Sequence, residues 1–265
     1  MNRLRFGTFL APNIMPVYQV VTEEVGRRLG IETELVVETD YEACAKDRNE
    51  VFFVCSLPYV EFERQGISPA VPLAAPVLAG ERYAGKPIYY SDVVVHRDSP
   101  FRSFLDLRGR SWAYNEPHSH SGYGITRYHL VEIGETHGFF GEVVEAGFHE
   151  ESIRLVTEHE VDASAVDSQV LAVAMRDDPS LARSLRIVDA LGPSTIQPVA
   201  VSKRVPLELR DDILRVLTSL HEDPEVQERL ALGMVKRFIP VGPSSYDDIR
   251  TMLETCEAAG YMQIR

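Results

Sequence analysis

The sequence predicts an α/β fold in two lobes with a ligand cleft between them. Three observations predict it. Short apolar runs of strand length alternate with segments of helical periodicity almost throughout. The alternation falls into two blocks. Two extended segments, near 88–96 and 197–202, connect those blocks, and the tail returns to the first. Such alternation predicts a parallel sheet with helices on both faces, and paired connections predict a hinge. The lobes are expected at 1–90 with 200–265, and at 91–199.

Leu4 to Leu10 reads as a buried opening strand. Pro16 to Leu29 reads as a helix with Val17, Val20, Val21, Val25 and Leu29 on one face and Gly30 as its stop. Strands follow at 34–38, 51–54 and 71–75, with a short helix at 41–46 capped by Asp40 and another from Tyr59 to Gln65 after Pro58. The polar stretch 80–87 breaks the pattern, and Ile88 to His96 is a long β-branched and aromatic run. The second block predicts strands at 111–114, 142–146, 162–166 and 185–188, with helices at 123–133, 151–157 and 169–175. Gln197 to Ser202 is extended again, and helices at 206–220, 224–232 and 246–259 close the chain.

The chain has 265 residues, 45% hydrophobic and 25% charged, with a net charge of −13. An acidic chain without a Lys/Arg cluster lacks the footprint of a nucleic-acid binder. An anionic ligand would have to be held by buried hydrogen-bond donors rather than steered by long-range charge. Cys44, Cys55 and Cys256 fit neither a zinc site nor a CxxC motif, and Cys55 reads as a buried structural thiol. No apolar run approaches the roughly 20 residues of a membrane span. The N-terminus reads as a strand beginning at once, without the apolar core of an export signal. Either the protein stays in the cytoplasm or an export signal has been removed.

The segment Glu116-Pro117-His118-Ser119-His120-Ser121-Gly122-Tyr123 carries the most chemical information. A strand feeding a hydroxyl-rich turn that opens a helix is an anion cradle. The first amides of a helix have no internal acceptor, and the helix dipole is positive there. Capping of its own helix by Ser121 is the other reading. Ligands in open α/β sheets sit beyond the carboxyl ends of strands. That singles out this turn, 11–13, 55–59, 147–149 and 166–169. His118, His120 and His149 are also candidate metal ligands, though no second paired motif accompanies them. Asp167 reads equally as a helix N-cap or a ligand contact. One of Tyr89 and Tyr90 faces inward by strand alternation.

These motifs resemble the phosphate/phosphite/phosphonate-binding proteins of ABC transporters, a PhnD-like group with the type II periplasmic-binding-protein fold. Pro117-His118-Ser119-His120-Ser121-Gly122 is similar to that family's P-x-S-T-S-G, Gly147-Phe148-His149-Glu150 to its G-x-H-(D/E), and Val161-Asp162-Ala163 to its V-D-(A/V). Asp98-Ser99-Pro100 with Leu105-Asp106-Leu107-Arg108-Gly109 resembles a stretch common to type II binding proteins. The resemblance implies a binding protein, not an enzyme, with no cofactor. Its partners would be a small oxyanion and transporter membrane subunits; its location would be the periplasm, and it would be a monomer.

By position, the resemblance implies that Ser119, His120, Ser121 and their amides hold the oxyanion, with Tyr89 and His149 completing the shell and Ser56 meeting the ligand from the first lobe. His120 departs from the family's Thr and brings a bulkier, titratable side chain. Gln169 and Gln197 stand where aminophosphonate-binding members carry carboxylates. A neutral amide pairs poorly with an ammonium, so a ligand without an amine is expected. A deprotonated sulfate would set acceptors against Asp167, whereas a ligand that keeps a proton would donate to it. The alternatives are a cytoplasmic enzyme or a metabolite sensor on the same two-lobed fold. No nucleophile–base spacing or GxGxxG motif supports the enzyme.

Overall fold

The computed structural model describes residues 3–39, 41, 44, 46–68 and 70–265. The chain divides into two compact units, 1–88 with 195–247 and 89–194 with 248–265.

In the first unit, strand β1 (Arg3–Thr8) leads through a short turn into helix α1 (Met15–Leu29). The helix buries Val17, Val20, Val21 and Val25 on one face and stops where Gly30 turns left-handed at φ +65°. Strands β2 (Glu32–Val37) and β3 (Val51–Phe53) follow. Of the helix expected at 41–46 only residues 41, 44 and 46 are among those described, and its cap Asp40 lies outside them. Helix α2 (Ser56–Arg64) begins three residues before the predicted start. Pro58 fits inside its first turn because the amide it lacks would have had no acceptor there. Strand β4 (Ala70–Leu78) then leads to the connection into the second unit.

The second unit contains β5 (Ile88–His96), β6 (Ser111–Tyr114), α3 (Ile125–Glu132), β7 (Glu142–Glu145), α4 (His149–Thr157), β8 (Ala163–Asp167), α5 (Ser168–Asp177), α6 (Pro179–Ser184) and β9 (Leu185–Thr195). The chain re-enters the first unit through β10 (Val199–Ser202), α7 (Leu207–Ser219), α8 (Pro224–Ala231) and β11 (Val235–Pro240), and ends on α9 (Asp247–Ala258).

Both sheets are mixed rather than purely parallel. The first runs β11-β4-β10-β3-β1-β2 and the second β7-β6-β8-β5-β9. Strand β1 pairs parallel with β2 and β3, as βαβ units require. Strand β10 pairs antiparallel with β3 and β4. It arrives from the other unit rather than through a crossover helix, so nothing forces it parallel. For the same reason β5 runs antiparallel to β8, while β6 is parallel to β7 and β8. Strand β11, an edge strand carrying the exposed Lys236, was hidden in sequence by its two charges and closing proline.

Whereas the sequence predicts that the whole tail returns to the first unit, residues 248–265 belong to the second. Tyr261 and Ile264 are buried in its core with Phe104, Trp112, Phe139 and Leu191, and Met252 packs against them. Trp112 stacks on Phe140 at 4.6 Å and meets Phe104 edge-on at 5.8 Å. The first unit buries Leu4, Phe6, Val51 and Phe52, with Tyr18 against Phe53 at 4.7 Å. Cys44, Cys55 and Cys256 are buried. Among the described residues no helix is long and apolar enough to cross a membrane.

Candidate anion site

The second sheet gathers most of the predicted site residues along one edge. Parallel strands β6, β7 and β8 end together there, delivering 115–122, 146–149 and 167–169. Strand β5 runs the other way, so Ser91 faces Asp167 across the ladder and Tyr89 starts at the same edge. Tyr89, not Tyr90, is the fully buried member of its pair.

The cradle itself is a π-helical turn, His120–Gly124, that runs directly into α3. Such turns are rare and recur at functional sites. Ser119 caps it, its Oγ accepting from the Gly122 amide at 3.2 Å. Ser119 Oγ lies 3.2 Å from Ser121 Oγ, which lies 2.7 Å from His149 Nε2. The result is a buried string of two hydroxyls and an imidazole, set beside amides that open a helix. His149 Nδ1 is buried and has no hydrogen-bond partner among the described residues.

Local backbone chemistry aligns the two turns. The amides of Ala146 and Gly147 donate to the carbonyls of Tyr114 and Asn115 at 2.8 and 2.7 Å. Gly147 at φ +87° then swings the chain so that Phe148 is extended and His149 becomes the first residue of α4. Gly122 is needed for a different reason: a Cβ there would sit 2.0 Å from Asn115 Oδ1. Gly122→Ala is therefore expected to lower stability by about 1–3 kcal/mol through overpacking and to displace the cradle. Thermal melting together with ligand titration checks this; unchanged values in both would refute the close-packing account.

Both site histidines are neutral. Burial, reinforced by the positive Arg127, holds the His120 imidazole down at about 3. Burial alone brings His149 down to about 4. His120 instead serves as a hydrogen-bonding group, with Nε2 3.0 Å from Ser194 Oγ. His118, by contrast, is exposed. Among the described residues no group of three or more metal-binding side chains is assembled.

Asp167 caps α5, its carboxylate accepting from the amides of Gln169 and Val170. Gln169 is buried beside it. Ser56 and Gln197 lie in the first unit. Ser56 opens α2, and its fully buried Oγ has no hydrogen-bond partner among the described residues.

Sequence reasoning missed two residues. Arg127 is buried in α3, with its guanidinium 4.9 Å over the Tyr123 ring and Nη1 donating to the Met262 carbonyl at 3.0 Å. No carboxylate pairs with it among the described residues, so it leaves positive charge behind the cradle of an acidic chain. A basic residue on an otherwise apolar helix face was the available signal. Ser194 left no local signal, because its importance comes from a partner 74 residues away.

The fold is that of a two-lobed α/β binding protein, and its second unit carries a buried turn rich in hydroxyls and amides. A family model described as "ABC transporter, phosphonate, periplasmic substrate-binding protein" matches residues 9–246, and the chain belongs to that family. Its members are transport proteins that bind a small ligand and work with ABC transporters. The chain is similar to a binding-protein component of an ABC phosphonate transporter from Pseudomonas aeruginosa, with TM-score 0.83 and 16% identity over 98% of this chain and 89% of that one. It is similar to PhnD1 from Prochlorococcus marinus in complex with methylphosphonate, with TM-score 0.80 and 16% identity over 98% and 99%. XAC2383 from Xanthomonas citri, bound to ATP, matches with TM-score 0.67 and 20% identity over 98% of both chains. At these identities the structural likeness shows the fold.

Proposed function

We propose that the ligand is a small, amine-free phosphorus oxyanion: methylphosphonate, phosphite or phosphate. The observation that carries this reading is the buried Ser119–Ser121–His149 string at the start of a helix. With its proton on Nε2, neutral His149 donates to Ser121 Oγ, and Ser121 turns its own proton toward the anion. Ser119, His120 and the turn's amides supply further donors, and Tyr89 completes the shell. Arg127 adds positive charge from behind.

Selectivity follows from the groups at the start of α5. Gln169 offers no negative charge to an ammonium. The Asp167 carboxylate requires a ligand that still carries a proton, as monohydrogen phosphate and a monoprotonated phosphonate do and sulfate does not. We further propose that the protein is a periplasmic monomer that delivers its ligand to the membrane subunits of an ABC transporter.

Calorimetry with methylphosphonate, phosphite, phosphate, 2-aminoethylphosphonate and sulfate tests the assignment. One of the first three is expected to bind with a Kd of about 1 μM or below, and the last two at least tenfold more weakly. A preference for sulfate would remove the role given to Asp167. Silence from all five would sink the oxyanion reading.

A further inference from the structure

His120 touches more than the cradle. Its imidazole is buried, with Nε2 3.0 Å from Ser194 Oγ and its ring edge-on to Tyr89 at 6.5 Å and 69°. Ser194 Oγ in turn donates to Met252 Sδ at 3.9 Å. These three neighbours share a topological position. The chain passes between the units at 88/89, 194/195 and 247/248. Tyr89 is the first residue after one passage, Ser194 the last before another, and Met252 lies one helical turn past the third.

The same three passages are laced together on their other side. The Ile196 amide donates to the Pro87 carbonyl at 3.0 Å, Thr195 Oγ1 to the Ser245 carbonyl at 2.9 Å, and Tyr246 Oη to the Ile196 carbonyl at 3.0 Å. A shorter side chain at 120 would not reach Ser194. The turn that carries His120 is π-helical, a geometry with poorer packing than the α-helix it enters, and thus one that a bound anion can stiffen.

We propose that the His120–Ser194 hydrogen bond couples occupancy of the cradle to the three segments through which the chain passes between its units. Ser194 is a positioning residue in this scheme: it acts through His120 and makes no contact with ligand. The inference rests on the oxyanion reading above. An anion on the amides of the turn fixes His120, and fixed His120 holds Ser194, Tyr89 and Met252. Because the pair is buried, its geometry is not diluted by competing water.

Amide hydrogen exchange with and without saturating methylphosphonate tests the coupling. Protection of the cradle, residues 115–125, reports binding. Protection of 86–90 and 193–197 reports the coupling. In the wild-type protein both are expected to slow about tenfold or more. In Ser194→Ala the cradle should still slow while 86–90 and 193–197 no longer respond, and Ser194→Thr, which keeps the hydroxyl, should restore the response. A merely structural role for Ser194 would speed exchange in the free and bound forms alike and leave the ligand-dependent difference intact. Wild-type protection confined to the cradle overturns the coupling without recourse to any variant. So does an unchanged response in Ser194→Ala. If methylphosphonate protects neither region and calorimetry is silent for all five anions, the oxyanion reading falls and the coupling with it.

Discussion

Ser121→Ala is expected to weaken binding of the preferred phosphorus oxyanion about 100-fold, equivalent to about 2.7 kcal/mol, while shifting the melting temperature by only a few degrees. Two losses combine. A hydroxyl donor to a charged oxygen disappears, worth roughly 1.5–3 kcal/mol. In addition, His149 Nε2 loses its partner at 2.7 Å inside a buried site and no longer has a hydroxyl to orient. Ser119→Ala should cost less, because Ser119 Oγ already accepts from the Gly122 amide and part of its role is capping. Calorimetry on the two variants distinguishes these roles. Equal losses at both positions would mean that the hydroxyls act as a general polar lining, and no loss at Ser121 would place the ligand elsewhere.

The fold was legible in the sequence wherever one element's own periodicity decided it. The valines of α1 and the β-branched run of β5 announce themselves, and Gly30 stops α1 because only a left-handed turn fits there. Strand direction was not legible, because β10 and β5 take theirs from chain passages between units and no local pattern records that. The hydroxyl-rich strand-to-helix turn was legible as such, and His149 as part of a Gly-x-His turn. Their 2.7 Å approach was not, since it depends on parallel pairing of β6 with β7 and on two amides donating across the turn. His120 shows the limit most clearly. Its identity suggested a titratable donor, but its burial and the neighbouring Arg127 make it neutral, and its partner Ser194 lies far along the chain.

That neutrality has a measurable consequence: stability should fall as pH is lowered from 7 to 5. In the unfolded chain both imidazoles protonate near their ordinary value of about 6.5. In the fold His120 resists protonation down to about 3 and His149 down to about 4. Between pH 6.5 and 4 the unfolded chain therefore binds more protons than the folded one, so stability is full above that window and is lost through it as acid is added. Each imidazole costs about 2 kcal/mol at pH 5, and the pair about 4. For a chain of this size that is a drop in melting temperature on the order of 10 °C. Burial also lowers His129, which adds in the same direction. Glu24, held low by Arg27 and Arg28, loses its contribution only at more acid pH, below its ordinary value of 4.5, so the interval from pH 6.5 to 5 belongs to the imidazoles. Differential scanning fluorimetry at pH 7, 6 and 5 in phosphate-free buffer checks the slope. His149→Gln should reduce it by close to half, and a flat wild-type profile would mean that these imidazoles reach protons in the fold. A bound anion beside them favours their charged form, so saturating methylphosphonate should flatten the slope as well. A slope that ligand leaves unchanged would separate the buried imidazoles from the binding site, because the same two groups cannot both line an occupied anion cradle and ignore the charge placed in it.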